Sequence, residues 1–393
     1  MNFTYHIPTK IVFGPGTLQA LATEQMPGRK ALLALSAGPS MRKYGYVDRA
    51  LELLKSNGVE CVTFEKILPN PIHQHVMEGA ALASETGCDF VIGLGGGSTI
   101  DSAKSIAVMA VNPGDYWDYI GGGSGKGMPV QHGALPIVAI TTTAGTGTEA
   151  DPWTVITHEE RAEKIGFGLV PDTFPTLSIV DPELMLTVPP FLTAIQGFDA
   201  FFHAAEGYIA NIATPVSDGF ALTSIELLTK WLPVAVKDGG NLEARTQVAL
   251  ANTLSGMVES TSGCTSEHSL EHALSADHPD LPHGAGLVMI SRAYFPFFAD
   301  AAADRMARMA QSMGVDLHGL SPVDGAHAFV DALLCLQDAC GIGDLKMSDY
   351  GIQREDASAL AQKAFGTMGG LFDVDPVRLT CEDAAGIISA AWR

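Results

Sequence analysis

The chain is short of positive charge. It carries 23 lysines and arginines against 44 aspartates and glutamates, a formal net charge of −21. A surface of that sign repels phosphate backbones and anionic headgroups, which argues against nucleic-acid and membrane partners. Cysteine is sparse and unpatterned: Cys61, Cys88, Cys264, Cys335, Cys340 and Cys381 form no CxxC pair and no short framework. That spacing reads as free thiols in a reducing compartment. The start, MNFTYHIPTKIVFG, has no basic stretch followed by an apolar one, so no secretory signal is expected. No run approaches the ~20 apolar residues that span a bilayer. Internal repeats and low-complexity tracts are missing too. These absences leave a soluble, cytoplasmic protein as the expectation.

What is present is ordinary globular material: 393 residues, 47% hydrophobic and 17% charged, enough for two domains. The first half alternates strand and helix patterns. KALLALSAG reads as a strand, YVDRALELLKSNG as an amphipathic helix closed by glycine, and ECVTFEKI as the next strand. HQHVMEGAALASETG is helical, DFVIGL is a fully apolar strand, TIDSAKSIAVMA is helical, and PIVAI is a strand running into TTTAGTGTEA. Such alternation predicts a parallel sheet covered on both faces, with ligands at the carboxyl ends of its strands. After VPPFLTAIQG nearly everything has helical periodicity, so the boundary is placed between residues 1–185, an α/β domain, and residues 186–393, an all-helical one.

Two loops carry binding chemistry. Gly95, Gly96, Gly97 and Ser98 follow an apolar strand and open a helix, where backbone N–H groups can approach a pyrophosphate and the helix terminus favours negative charge. The match to GxGxxG is loose, because Ser98 stands where the last glycine belongs. A second loop, Thr141 to Glu149, places hydroxyls and glycines at the end of another strand. Together they point to a dinucleotide or a similarly phosphorylated cofactor.

The helical half holds a different pattern. GFDAFFHAAEGY puts Asp199 and His203 one helical turn apart, and SGCTSEHSLEHALSADHPDLPHGAG repeats that spacing with His268 and His272 before His283. Alone, Asp199 would read as a cap or salt-bridge partner, and His203 as a hydrogen-bonded core histidine. As a cluster, one carboxylate and several neutral imidazoles suit a divalent transition metal such as Fe(II) or Zn(II). His278, in a polar loop, reads as solvated; Glu267 and Glu271 read either as partners behind the ligating histidines or as an exposed helix face, with the exposed face favoured.

GGGSTIDSAK with Asp101 and Lys104, TTTAGTGTE, IVDPELMLTVPP, GFDAFFHAAE and H-x3-H…PHG together resemble the iron-containing (group III) alcohol dehydrogenases over nearly the whole chain. The resemblance implies a Rossmann-like N-terminal domain and an all-α C-terminal domain, the dehydroquinate synthase-like fold. It implies Asp199, His203, His268 and His283 as metal ligands and His272 beside the substrate. Gly95 to Ser98 would hold the pyrophosphate, with Asp101, Thr141, Thr142 and Thr146 along the cofactor. The expected cofactors are Fe(II), with zinc possible, and NADP in preference to NAD. The last expectation rests on Ser36, which stands where many NAD-using members end the first strand with an aspartate; Ser40, Arg42 and Lys43 follow and could bind a 2′-phosphate. Two further departures are a spacer from His272 to His283 one residue longer than usual, and Glu259 where an aromatic or apolar residue is common.

The implied reaction is reversible hydride transfer between nicotinamide C4 and a small uncharged alcohol or aldehyde, in a homo-oligomer. A metal- and NAD-dependent lyase of the dehydroquinate synthase type is the alternative. Its anionic substrate would need several cations near the metal, yet residues 191–290 contain only Lys230, Lys237 and Arg245, none beside the ligand motifs. A non-catalytic metal-binding role would leave both glycine-rich loops unexplained.

Overall fold

The structure is a computed structural model that describes residues 2–393. It divides into two compact units, one spanning Ile7–Leu186 and the other Thr187–Arg393, which also takes in the N-terminal strip up to His6.

The first unit is built on a six-stranded parallel sheet in the order β1-β8-β5-β4-β2-β3. Its strands are β1 (Lys10–Phe13), β2 (Lys30–Ser36), β3 (Glu60–Ile67), β4 (Phe90–Gly95), β5 (Ile137–Thr141) and β8 (Leu177–Val180). Helices α1 (Ser40–Lys43), α2 (Tyr46–Ser56), α3 (His73–Thr86), α4 (Gly97–Met109) and α5 (Tyr116–Tyr119) connect them. β4 and β5 are buried along their whole length, as expected of strands covered on both faces, so they read as continuous apolar runs. Gly93 lets α4 lie directly on the sheet: a Cβ there would sit 3.0 Å from Ala103 Cβ and 3.0 Å from Ile100 Cα.

The chain runs outward from β2 to β3, then returns to the other side of β2 to lay down β4 and β5. That reversal is where an open α/β sheet parts its connecting loops and leaves a crevice for a ligand. A two-stranded antiparallel hairpin, β6 (Trp153–His158) with β7 (Glu163–Gly168), was not foreseen. Its strands alternate less cleanly and stand outside the parallel sheet.

The second unit is helical: α6 (Pro190–Ile209), α7 (Pro215–Lys237), α8 (Leu242–Ser262), α9 (Ser266–Asp277), α10 (His283–Phe297), α11 (Ala303–Ser312), α12 (Pro322–Ala339), α13 (Ala357–Met368) and α14 (Cys381–Ala391). α6 is buried from Phe198 to Ile209 without a break, as befits a central helix that is apolar all round. Its Phe198, Phe201 and Phe202 pack with Phe295 and Phe329 into an aromatic core.

α7 is long and apolar enough, by length and composition, to cross a membrane, although Asp218, Glu226 and Lys230 interrupt its apolar run. In the fold its apolar side, with Ala221, Ile225, Leu228 and Leu232, is buried in the helical unit.

Candidate metal centre and nucleotide loops

Register in the sheet sets the two loops of the first unit side by side. Gly95 at the end of β4 pairs with Thr141 at the end of β5, and the Thr142 N–H donates to Gly95 O at 2.9 Å. α4 begins at Gly97, so its first N–H groups have no intrahelical partner. Gly97 must stay small because Thr146 packs over it: a Cβ would lie 2.3 Å from Thr146 Cγ2. Thr141 Oγ1 donates to Thr143 O at 2.9 Å, which stiffens the second loop.

Asp101 and Lys104 lie beneath these loops. Asp101 Oδ1 accepts from Thr148 Oγ1 at 2.8 Å and Oδ2 from the Val155 N–H at 2.9 Å. Its carboxylate therefore fastens the threonine loop and the hairpin to α4. Burial pushes the Asp101 carboxyl up to about 6, despite the opposing pull of Lys104 and these hydrogen bonds. The Lys104 ammonium, fully buried, donates to Thr148 Oγ1 at 2.7 Å, Asp151 O at 2.9 Å, Asp151 Oδ1 at 3.0 Å and Trp153 O at 2.7 Å. The charges of Asp101 and Lys104 are thus met from within the chain.

Ser36 closes β2, paired with Ile67 of β3, and Ser40 opens α1. Arg42 does not wait for a phosphate. Its guanidinium is engaged by Glu65, with Nε donating to Oε2 at 2.9 Å and Nη2 to Oε1, and Asp48 lies 3.6 Å away.

In the helical unit, Asp199 and His203 project from α6, His268 and His272 from α9, and His283 opens α10. The start of α10 can press on α6 because residue 284 is glycine: a Cβ there would lie 2.1 Å from Ile195 O. Asp199 Oδ1 then stands 3.7 Å from His203 Nε2, 3.6 Å from His268 Nε2 and 3.5 Å from His283 Nε2. These separations are too long for hydrogen bonds and suit donors that share one ion. Asp199 Oδ1 and His268 Nε2 are both buried without a hydrogen-bond partner. Orphaned polar atoms of that kind, in a core, call for a ligand. Burial raises the Asp199 carboxyl, but the His203 and His283 imidazoles outweigh it and hold the group well below the usual range. The donors present fit a divalent metal.

Behind the imidazoles stand carboxylates. His268 Nδ1 hydrogen-bonds Glu206 Oε1, whose other oxygen accepts from the Thr265 N–H at 2.9 Å and Thr265 Oγ1 at 3.0 Å. His283 Nδ1 hydrogen-bonds Glu271 Oε2. With Nδ1–H committed to a carboxylate, each Nε2 carries its lone pair toward the cluster. Glu267 and Glu271 are fully buried, which corrects the reading of an exposed face. α9 is buried from Ser266 to Ala276, so its polar residues face neighbouring helices on all sides.

His272 Nδ1 lies 2.8 Å from Met368 Sδ. A thioether only accepts, so Nδ1 holds the proton and Nε2 is the acceptor of the neutral ring. Glu259 Oε2 is 3.8 Å from His203 Nε2, which puts a carboxylate at the edge of the cluster. Sequence reading missed Glu206, Cys264 and Met368. Glu206 had a signal, since it follows His203 by three residues on the same helix face. Met368 comes from a distant helix and had none.

A parallel sheet with two loops suited to phosphate and a helical unit with a carboxylate–imidazole metal cluster define a nucleotide- and metal-dependent enzyme. The comparisons are specific. Residues 8–182 match the iron-containing alcohol dehydrogenase family and residues 193–392 match the C-terminal region of the Fe-containing alcohol dehydrogenase family. The chain is 33% identical over 390 residues to an NAD-dependent methanol dehydrogenase of Bacillus methanolicus, covering 98% of this chain and 99% of that one. It is 33% identical over 365 residues to a 1,3-propanediol dehydrogenase of Klebsiella pneumoniae, covering 92% of each. Among solved structures, an archaeal halo-thermophilic alcohol dehydrogenase from a Red Sea brine pool superposes with a TM-score of 0.94 at 34% identity, covering 100% of this chain and 99% of that one. The chain belongs to the iron-containing alcohol dehydrogenase family and is an oxidoreductase acting on CH–OH groups.

Proposed function

We propose that the protein interconverts a small uncharged alcohol and its aldehyde with NAD(H), using a divalent metal held by Asp199, His203, His268 and His283. The observation that carries this reading is the single Asp199 oxygen facing three imidazole Nε2 atoms at 3.5–3.7 Å. Iron is the metal the family name gives, and the same donors accept zinc. When bound, such an ion acts as a Lewis acid toward the substrate oxygen.

The chain supplies the rest. Glu206 and Glu271 fix the His268 and His283 tautomers, so that each Nε2 offers a lone pair. His272, with its proton on Nδ1 against Met368, presents Nε2 as acceptor for the alcohol proton, acid–base work to which imidazole is suited. The Gly95–Ser98 backbone and the α4 terminus hold the pyrophosphate, and Thr141, Thr142 and Thr146 flank the same strand ends. In this reading Asp101 acts by fastening the threonine loop and need not touch the cofactor.

The expected NADP preference is not carried forward. Arg42 is already paired with Glu65 and Asp48, and the methanol dehydrogenase above is named as NAD-dependent. The lyase alternative weakens further. Arg245 is buried, donating to Thr193 Oγ1, Val188 O and Gly239 O, so it does not serve as an anion clamp. Six free thiols fit a reducing, cytoplasmic setting, and a homo-oligomer is kept as part of this reading.

The test is to strip the metal anaerobically and follow NADH and NADPH oxidation with butanal, before and after adding Fe(II). Activity should return with the metal and favour NADH. An NADPH preference would reinstate the reading of Ser36. Failure with both cofactors across a panel of simple aldehydes would sink the reading.

A further inference from the structure

Cys264 has no part in the reaction above, yet it stands at the metal cluster. Gly263, with φ +68°, closes α8 and turns the chain ahead of α9. Cys264 follows at 5% exposure. Its Sγ and one ring nitrogen from each of His203 and His268 all lie within 4.8 Å of one another. Asp199, His268 and His283 satisfy the same criterion. The two groups share His268, so the cluster offers two overlapping faces, one of oxygen and nitrogen, the other of sulfur and nitrogen.

We propose that His203, Cys264 and His268 form a second, softer donor set, which takes zinc or a similar thiophilic ion as a thiolate complex in place of the four-donor iron arrangement. The inference rests on the reading of Asp199, His203, His268 and His283 as the metal site. Thiolate favours zinc over iron(II), whereas the carboxylate–imidazole set discriminates little between them. Sulfur and nitrogen bound to one tetrahedral zinc sit roughly 3.5 Å apart, so the three side chains need close by only about 1 Å. On binding, the S–H bond breaks, its proton passes to solvent, and a sulfur–metal bond forms; the ion stays divalent and nothing is oxidised. Because His203 and His268 serve both sets, one ion excludes the other. Zinc-loaded and iron-loaded protein then differ in the atoms around the metal as well as in the metal.

The experiment titrates Co(II), a spectroscopic stand-in for zinc, into the metal-stripped full-length protein, and measures Zn(II) and Fe(II) affinities by chelator competition. Wild-type protein should show a sulfur-to-cobalt charge-transfer band. Cys264→Ser and Cys264→Ala should lack it, while Asp199→Asn keeps it. Zinc affinity should fall in both cysteine variants by at least the roughly 10–100-fold that follows loss of an outer-shell partner, with a smaller change for iron. Stoichiometric iron binding in the two cysteine variants shows that they are folded. A wild-type cobalt complex without the band, or a band that survives in Cys264→Ala, overturns the proposal and leaves the four-donor site standing. Failure to bind either ion overturns both.

Discussion

The two units treat buried charge in opposite ways. Beneath the nucleotide loops, the Lys104 ammonium meets Thr148, Asp151 and Trp153, and Asp101 meets Thr148 and Val155, so these two charges are answered by the chain itself. In the helical unit, the carboxylates Glu206 and Glu271 lean on imidazoles whose far nitrogens converge on Asp199, and two of the converging atoms have no partner. On the proposed reading, the first arrangement is complete before its ligand arrives, whereas the second would be completed by a cation at its centre.

The contrast can be broken most forcefully at Asp199. Asp199→Ala removes the one carboxylate common to three imidazoles; iron content measured by emission spectroscopy after Fe(II) reloading should fall to background, and aldehyde reduction with it. His272→Gln should leave metal content intact yet lower kcat by on the order of 10²–10⁴-fold, the usual contribution of a general acid–base group. Lys104→Met tests the other side of the comparison. It strips the cation from a fully buried network and should cost about 3–5 kcal/mol in chemical denaturation, and adding metal should not restore it. Glu271→Gln should weaken metal binding by roughly 10–100-fold, read by chelator competition, with the fold retained.

The smallest effect is a pH slope. Asp101 titrates at about 6 in the folded chain against an ordinary 3.8, so between those values the native state binds more protons than the unfolded one. Stability should therefore decline as pH rises from about 4 to about 6, and Asp101→Asn should flatten that part of the profile. An identical slope in the variant would mean that other groups set it.

Much of this was legible in the sequence, for physical reasons. β4 and β5 announce themselves as unbroken apolar runs because both faces are covered, and α6 does so through its aromatic and alanine-rich turns. Asp199 with His203, and His268 with His272, follow from helical spacing alone, since residues four apart share a face. The β6–β7 hairpin was passed over although WTVITH is rich in β-branched residues, because it stands outside the strand–helix alternation of the parallel sheet. The carboxylates behind the imidazoles were harder still. Glu271 alternates with histidines as an exposed residue would, and only the complete burial of α9 reveals its role. Met368 and Cys264 reach the cluster through tertiary packing, which no local pattern records. The NADP expectation leaned partly on Arg42, which pairs with Glu65 on a neighbouring strand, a contact no local pattern records.

The most direct test compares hydrogen exchange, by mass spectrometry, in metal-stripped and Fe(II)-reloaded protein under anaerobic conditions. Reloading should slow exchange in α6, α9 and the start of α10, and leave β4, α4 and the threonine loop unchanged. Equal protection in both forms across those three helices, or gains confined to the nucleotide unit, would contradict the placement of the metal at Asp199, His203, His268 and His283.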